Sequence, residues 1–419
     1  MADRTIARRR PASTRTSHLR LVSAESLRPP RSASAVARRN LTLLLVPTAM
    51  LTVVGLVMIL SAGSISAVEG YGTSFWYFNR QALYALAGVV GLVVTARLPI
   101  AFWRRAAIPL LLCLLPLMLL TLHPSIGSSL YGASRWIDLG PVTLQPAEFA
   151  KLLTICAAAA ILSRPWKDLR KPREALLPLG PLVLIVAGVI LLQRDLGTAL
   201  IVCGSVFLVL FAAGVPYRTL LWTGLAGLAA IAYSIFGTAY RRTRFLEAWL
   251  NWELDPSGAG WQLRQGLIAL GSGGWFGVGL GNSRQKWDYL PNAHSDFVFA
   301  VLGEELGLIG AFAVLSLFGI VLFAGIRIAM GATDPFGRLL AAGITGWIGL
   351  QTIVNLGAVT GLLPITGVPL PFVSFGGTAL VVTLAGVGVL ASVALEPVRA
   401  EGRRRPRGRS GPAAPRSGR

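Results

Sequence analysis

Charged residues are scarce in this chain: Asp, Glu, Lys and Arg make up only 14% of its 419 residues, and its mean hydropathy is +0.64. A soluble globular domain carries about 25% charged residues. Long apolar runs recur along the whole sequence, and such runs are typical of membrane spans. The composition therefore excludes a soluble enzyme and predicts a polytopic membrane protein.

Cysteine motifs and the common catalytic motifs are also lacking. The three cysteines, Cys113, Cys156 and Cys203, all lie within apolar runs, which excludes a disulfide framework and a cysteine metal site. The chain has no HExxH pattern, and the glycine-rich stretch 271–281 lacks the strand–turn–helix setting of a phosphate-binding loop. The SFGG sequence that begins at Ser374 does not match a nucleophile elbow.

The net charge of +21 is concentrated at the two ends of the chain. Residues 1–40 contribute +8 and residues 396–419 contribute +6. Both segments are rich in Pro, Ser, Gly and Arg, which predicts disordered basic tails over 1–40 and 399–419. We expect these tails to lie in the cytoplasm near anionic membrane lipids, in preference to binding nucleic acid.

Hydropathy predicts an all-α membrane domain over 41–398 with about ten transmembrane helices. Basic residues concentrate in alternate short loops, which places both termini in the cytoplasm. The longest connection, 238–296, then becomes a large extracytoplasmic loop between helices seven and eight. The predicted spans are 41–62, 81–97, 106–122, 147–163, 176–193, 198–214, 219–237, 297–326, 338–360 and 378–396.

Irregular backbone is predicted in two of the outer segments. In the large loop, 243–254 suits a short amphipathic helix at the interface, and 263–270 could re-enter the membrane. Prolines and glycines in 361–377 indicate a broken, non-helical entry into the last helix. Such backbone is tolerated at membrane depth only where protein or water covers it.

Acidic residues stand where the large loop meets the eighth span. Asp296 lies at the mouth of that span beside His294, and Glu304 and Glu305 lie inside it. Carboxylates in this position are costly, so we interpret them as candidates for a functional site. Two structural alternatives remain open: Asp296 could cap the helix, and a glutamate could pair with a cation such as Lys151.

Basic residues in the large loop could bind phosphate, because arginine forms bidentate hydrogen bonds with phosphate oxygens. Ordinary loop solvation is the alternative for any single one of them. As a set they favour an anionic, lipid-like ligand.

The candidate substrate-binding residues include members outside the large loop. They are Arg242, Arg244, Arg264, Lys286, His294, Glu148, Lys151 and Ser374.

Four blocks of sequence resemble one known family. They read GASRWIDLGPVTLQPAEFAK (132–151), QRDLGTAL (193–200), GAGWQLRQGLIALGSGGWFGVGLGNSRQKWDYLPNAHSDFVFAVLGEELGLIG (258–310) and NLGAVTGLLPITGVPLPFVSFGGTAL (355–380). In this order they resemble the SEDS family (shape, elongation, division and sporulation) of cell-wall polymerases. The resemblance covers about 41–398, and the third block is more similar to the division members than to the elongation members.

That resemblance implies a ten-helix fold and a peptidoglycan glycosyltransferase that polymerises lipid II in the cytoplasmic membrane, at the division septum. It also implies that the family's essential loop aspartate is Asp296. A class B penicillin-binding protein is the implied transpeptidase partner, together with other divisome membrane proteins. The chain departs from the family pattern at Asn292, where a glutamate is familiar, and at Arg194, where proline is common.

Two roles for Asp296 follow as hypotheses. It acts as general base on the acceptor sugar hydroxyl, or it holds a divalent cation (Mg²⁺ or Mn²⁺) that helps the diphosphate leave. No other cofactor is implied. A lipid II flippase, an elongation-type polymerase and a non-catalytic division scaffold are the alternative functions, and a flippase is consistent with broken helices and intramembrane charges.

Overall fold

The computed structural model describes residues 33–123, 127–130, 133–140, 142–165, 168–237, 242, 245–250, 259–287, 289–291 and 293–404. Twelve α-helices dominate these described residues. They are α1 (Ala33–Ala62), α2 (Ser64–Tyr71), α3 (Trp76–Arg97), α4 (Ile100–Leu120), α5 (Pro146–Leu162), α6 (Pro172–Leu192), α7 (Leu196–Ala212), α8 (Tyr217–Phe236), α9 (Ala259–Ser272), α10 (Val298–Gly331), α11 (Pro335–Val359) and α12 (Gly377–Arg404).

Each of the ten predicted spans coincides with one of these helices. By length and composition, eight helices in the described part of the chain are able to cross a membrane: α1, α3, α4, α6, α8, α10, α11 and α12. The other two, α5 and α7, have 17 residues each, or about 26 Å against a hydrocarbon core of about 30 Å. The all-α polytopic fold is confirmed, and the orientation of the termini stays a prediction.

The first and last helices extend into the predicted tails. Helix α1 begins at Ala33 and α12 continues to Arg404, so 33–40 and 399–404 are helical. Alanine-rich sequence at 33–38 favours the helical state. At the other end, the Arg399 guanidinium donates to the carbonyls of Ala96 and Leu98, which fixes the end of α12 against α3.

Helix α5 lies at the centre of the bundle. It packs against α4, α7 and α11, and almost all of its residues are buried. Helix α12 runs along α3, and α1 runs along α10. Helix α8 lies at the edge beside α7 and exposes large apolar side chains such as Trp222 and Tyr233. Exposed apolar side chains are expected on helices that face lipid.

A three-stranded antiparallel sheet lies between α4 and α5, and the sequence did not predict it. Strands β1 (Gly127–Leu130), β2 (Ala133–Asp138) and β3 (Thr143–Leu144) pair in the order β1-β2-β3. The β3 backbone is tied to the bundle, because the Thr143 amide donates to the Tyr84 hydroxyl at 2.7 Å and the Thr378 hydroxyl donates to the Thr143 carbonyl at 3.1 Å.

Two predicted pieces of the large loop can be located in part, and their position relative to the membrane stays a prediction. Residues 263–270 belong to helix α9, which packs against α10. Of the predicted amphipathic helix at 243–254, the described residues show one turn of π-helix, Leu246–Leu250, and the remainder lies outside them apart from Phe245. The Trp249 indole donates to the Gly361 carbonyl at 2.9 Å, which fixes this turn to the end of α11.

Candidate active site

Asp296 lies two residues before the first residue of α10, and Phe297 occupies the N-cap position. The side chain of Asp296 is partly exposed. Its Oδ2 atom lies 3.7 Å from the position that a Cβ atom would take at Gly367. Because Gly367 has φ +70° and no side chain, the backbone approaches the carboxylate while leaving space beside it.

The segment that faces Asp296 is 361–376, here called the re-entry segment. It contains no helix between Val359 and Gly377, which confirms the predicted broken entry into α12. Much of it is nevertheless buried, including Val368, Leu370 and Phe372. Buried backbone at membrane depth needs hydrogen-bond partners, and two amide side chains of α11 supply them.

These amides are Asn355 and Gln351. The Asn355 Nδ2 atom donates to the Asp296 carbonyl at 3.0 Å and to the Val368 carbonyl at 2.9 Å. The Gln351 Nε2 atom donates to the Pro369 carbonyl at 2.9 Å. Asn355 therefore holds Asp296 and the re-entry segment together, and the sequence did not assign it this role.

His294 forms the aromatic side of the site. Its ring lies 4.2 Å from the Tyr77 ring and 5.7 Å from the Phe375 ring, and its carbonyl accepts from the Phe375 amide at 3.0 Å. Within the described part of the chain, its buried Nδ1 atom has no hydrogen-bond partner. Burial lowers the pKa of His294 to about 4, so the imidazole is neutral at pH 7 and offers a neutral polar group beside Asp296.

Glu148 and Lys151 form a buried ion pair in α5. The Lys151 Nζ atom lies 2.7 Å from Glu148 Oε2 in ion-pair contact, although the angle does not meet hydrogen-bond geometry. Lys151 also donates to Gln351 Oε1 at 3.1 Å, so Gln351 connects this pair to the re-entry segment. Lys151 was one cation that could pair with Glu304 or Glu305, and the structure pairs it with Glu148 on its own helix instead.

Glu304 and Glu305 are both buried and meet the end of the large loop. Glu304 accepts from the Ser283 hydroxyl at 2.5 Å and from the Arg284 amide at 2.9 Å. Glu305 lies 3.7 Å from Lys286 Nζ and accepts from the Ser61 hydroxyl at 2.5 Å. Lys286, a predicted substrate-binding residue, is therefore placed in a buried ion pair that the sequence did not assign.

Helix α10 is broken immediately after these glutamates. Gly307 has φ +67° and ψ −170°, and the loop backbone fills the break. The amides of Val278 and Gly279 donate to the carbonyls of Glu304 and Glu305 at 3.0 and 3.1 Å. A Cβ atom at Gly277 or Gly307 would overlap the opposing backbone, which explains the glycines on both sides of the contact.

The remaining predicted residues are spread more widely. Arg242 and Arg264 are exposed, whereas Arg244 and the divergent position Asn292 lie outside the described residues. Ser374 is buried, and its hydroxyl accepts from the Leu370 amide at 2.9 Å, so it stabilises the re-entry segment. Asp296, His294 and Ser374 therefore share one region, and Glu148 and Lys151 connect to it through Gln351.

The described residues contain no group of three or more His, Cys, Asp and Glu side chains that could hold a metal ion. Magnesium is usually bound through one or two carboxylates together with substrate phosphates. Asp296 fits such a cation only where a substrate diphosphate supplies further oxygen ligands.

Comparison with known proteins gives the family of this chain. The FtsW/RodA/SpoVE family model, described as "Cell cycle protein", matches residues 41–398. The chain is 41% identical over 363 residues to the "Probable peptidoglycan glycosyltransferase FtsW" of Trichlorobacter lovleyi, covering 87% of this chain and 95% of that protein. It is 40% identical over 352 residues to "Stage V sporulation protein E" of Bacillus subtilis, covering 84% and 96%.

A solved structure agrees with these relatives. One chain of a peptidoglycan synthase complex that coordinates polymerization and crosslinking matches with a TM-score of 0.69 and 32% identity. The match covers 84% of this chain and 96% of that chain, so the similarity extends across the whole helical domain.

Proposed function

Since this chain belongs to the FtsW/RodA/SpoVE family of cell cycle proteins, we propose that it is a peptidoglycan glycosyltransferase that polymerises lipid II during cell division. A relative named as an FtsW glycosyltransferase supports this activity and the division role. The observation that carries the proposal is the partly exposed Asp296 carboxylate, which faces Gly367 at one end of a helical bundle able to span a membrane.

The proposed reaction uses Asp296 as general base. The carboxylate takes the proton from the 4-hydroxyl of the acceptor sugar, whose oxygen attacks the anomeric carbon of the donor. A new C–O bond forms, the bond from that carbon to the diphosphate breaks, and the diphosphate leaves as an anion. Asn355 fixes the Asp296 backbone through its carbonyl, and such positioning lowers the barrier by holding the base in place.

Charge compensation for the diphosphate is assigned to exposed cations and, in an alternative, to a metal. Arg264 on α9 and Arg242 are exposed candidates for the phosphate oxygens. In that alternative Asp296 would hold a Mg²⁺ or Mn²⁺ ion, which would neutralise charge developing on the diphosphate. His294 is neutral at pH 7 because of its lowered pKa, so it contributes hydrogen bonding to the substrate instead of charge.

We further propose that the chain works in the cytoplasmic membrane at the division septum beside a class B penicillin-binding protein and other divisome membrane proteins. The similarity to a chain of a peptidoglycan synthase complex that couples polymerization to crosslinking supports a transpeptidase partner. Lipid II is the proposed substrate, and the apolar surfaces of the bundle are in contact with membrane lipids.

The test is polymerisation of purified lipid II by the purified chain, alone and with its partner. We expect glycan strands from the wild type and none from Asp296→Asn, because the amide cannot accept the hydroxyl proton. Asp138→Asn is the matched control, because Asp138 is an exposed carboxylate of strand β2. Full polymerisation by the Asp296→Asn protein would contradict both roles of Asp296.

Two further measurements separate the metal role of Asp296 from the general-base role, and a polymerase from a transporter. Activity that is lost with EDTA and restored by Mg²⁺ or Mn²⁺ supports the metal role of Asp296, and EDTA-resistant activity supports the general base. Passage of fluorescent lipid II across vesicles without any glycan product would instead show a transporter.

A further inference from the structure

An aromatic stack lies beside the candidate active site and has no role in the reaction described above. Helix α2 ends at Tyr71, and Gly72 with φ +71° turns the chain back towards α3. The Tyr71 and Trp76 rings lie parallel, with centroids 3.7 Å apart and 4° between their planes. The Arg80 guanidinium lies 4.7 Å from the centroid of the Trp76 ring.

This stack is a surface feature. The Tyr71 side chain is 51% exposed. Glycines flank Tyr71 on both sides, and among the described residues no atom lies within 4 Å of a Cβ placed at Gly70 or Gly72. The Tyr71 ring is therefore about half exposed, and its contacts with the Trp76 and Tyr77 rings fix its orientation.

The stack is also continuous with the candidate active site. Tyr77 follows Trp76 directly, and its ring contacts His294 at 4.2 Å and Phe375 at 5.1 Å. Consecutive helical residues point about 100° apart. Tyr77 therefore forms part of the site, while Trp76 and Tyr71 extend the same aromatic surface beyond it.

We propose that the exposed Tyr71 ring, stacked on Trp76 with the Arg80 guanidinium over the Trp76 ring, binds the sugar rings of the glycan product as it leaves Asp296. This inference rests on the proposed glycosyltransferase function. The C–H face of a pyranose ring packs on an aromatic face, and hydroxyl groups at its edge bind polar side chains. Glu69 and Asn79 are exposed polar residues next to the stack and suit the hydroxyl-rich edges of such a product.

An ordinary interfacial anchor is the alternative, because tyrosine and tryptophan are common at headgroup depth. The two roles give opposite results when the stack is removed. An anchor changes how the protein sits in lipid and leaves the product unchanged. A product site changes the length of the glycan and the affinity for free oligosaccharide.

The experiment compares Tyr71→Ala with Phe75→Ala in nanodiscs. Phe75 is 53% exposed and pairs with Phe78, so it is an equally exposed aromatic control outside the stack. Chitohexaose, a soluble β-1,4-linked GlcNAc oligomer, is the binding probe. We expect Tyr71→Ala to raise its Kd about tenfold, the factor given by a stacking contact of about 1.4 kcal/mol, while Tyr71→Phe and Phe75→Ala retain the wild-type Kd.

Glycan length provides the second readout. We expect Tyr71→Ala to start strands from lipid II at the wild-type rate and to release shorter products. Equal lengths and equal Kd values in Tyr71→Ala and wild type would overturn the inference while leaving the polymerase activity established. A wild type that makes no glycan would instead contradict the proposed function itself.

Discussion

Replacing Lys286 with methionine tests the buried cluster that joins the large loop to α10. Lys286 is 7% exposed and Glu305 is 1% exposed, and the ammonium lies 3.7 Å from the carboxylate. Removing one partner of a buried ion pair costs about 3–5 kcal/mol, because the remaining charge is left uncompensated. Glu304, the residue before Glu305, is a second buried carboxylate. The loss of the Lys286 cation therefore leaves two adjacent buried acids.

The stability that Lys286→Met loses should depend on Glu305. In Lys286→Met/Glu305→Gln no charge remains in this pair, and replacing both partners of a buried pair is often close to neutral. We therefore expect the double variant to recover most of the stability that Lys286→Met loses. The control is Lys171→Met, because Lys171 pairs with Glu174 on an exposed surface, where such pairs contribute about 0–1 kcal/mol.

Thermal unfolding in detergent, followed by tryptophan fluorescence, measures these differences. A loss of 3–5 kcal/mol corresponds to a fall in Tm of roughly 3–6 °C in a chain of this size. Lys171→Met should change the Tm by about 1 °C at most on the same scale. Equal losses in Lys286→Met and Lys171→Met, or no recovery in the double variant, would refute the assignment of Lys286 to a buried ion pair.

Two further predictions test the backbone break and the histidine. Gly307→Ala should lower the Tm strongly, because a Cβ there meets the backbone of Gly277 and the φ of +67° disfavours alanine. The control is Gly319→Ala, in open space on the same helix, which should have a Tm equal to or above that of the wild type. An equal loss of Tm in both variants would contradict the close contact at Gly307. His294 should destabilise the fold in acid: its pKa is lowered to about 4, so the unfolded chain binds more protons between about pH 4 and 6.5. The stability that the neutral His294 contributes is complete above about pH 6.5 and declines as the pH falls towards 4. The Tm of His294→Phe should therefore fall less than that of the wild type between pH 7 and pH 5. Identical losses would show that His294 is not buried as a neutral group.

The helices of this fold could be predicted from sequence because each depends on a local apolar run. A span such as 338–360 reads as a helix without knowledge of its neighbours, and α11 (Pro335–Val359) confirms it. Asp296 could also be identified as a candidate site residue from its local sequence, because a carboxylate at the boundary of an apolar run is costly wherever it lies. Its role in catalysis stays a prediction.

The contacts that shape the site could not be predicted in the same way, because they join residues far apart in sequence. Ser61 and Glu305 are 244 positions apart, and their hydrogen bond depends on how α1 packs along α10. Glu304 and Glu305 are consecutive residues of α10, so their side chains point about 100° apart around the helix. The loop backbone and Lys286 surround that part of α10, so both carboxylates find partners. The density of glycines at 271–281 was the available signal for such a close approach.

Irregular backbone is concentrated in and around the first part of α10. The break at Gly307, the glycine-rich stretch 271–281 and the re-entry segment all expose peptide groups that a continuous helix would satisfy internally. Buried side chains satisfy several of them at fixed distances, as Asn355 does for the Asp296 and Val368 carbonyls. Because Asn355 lies on the long packed helix α11, the backbone at Asp296 is fixed in position. If Asp296 is the general base that we propose, this fixed backbone favours catalysis by preorganised positioning.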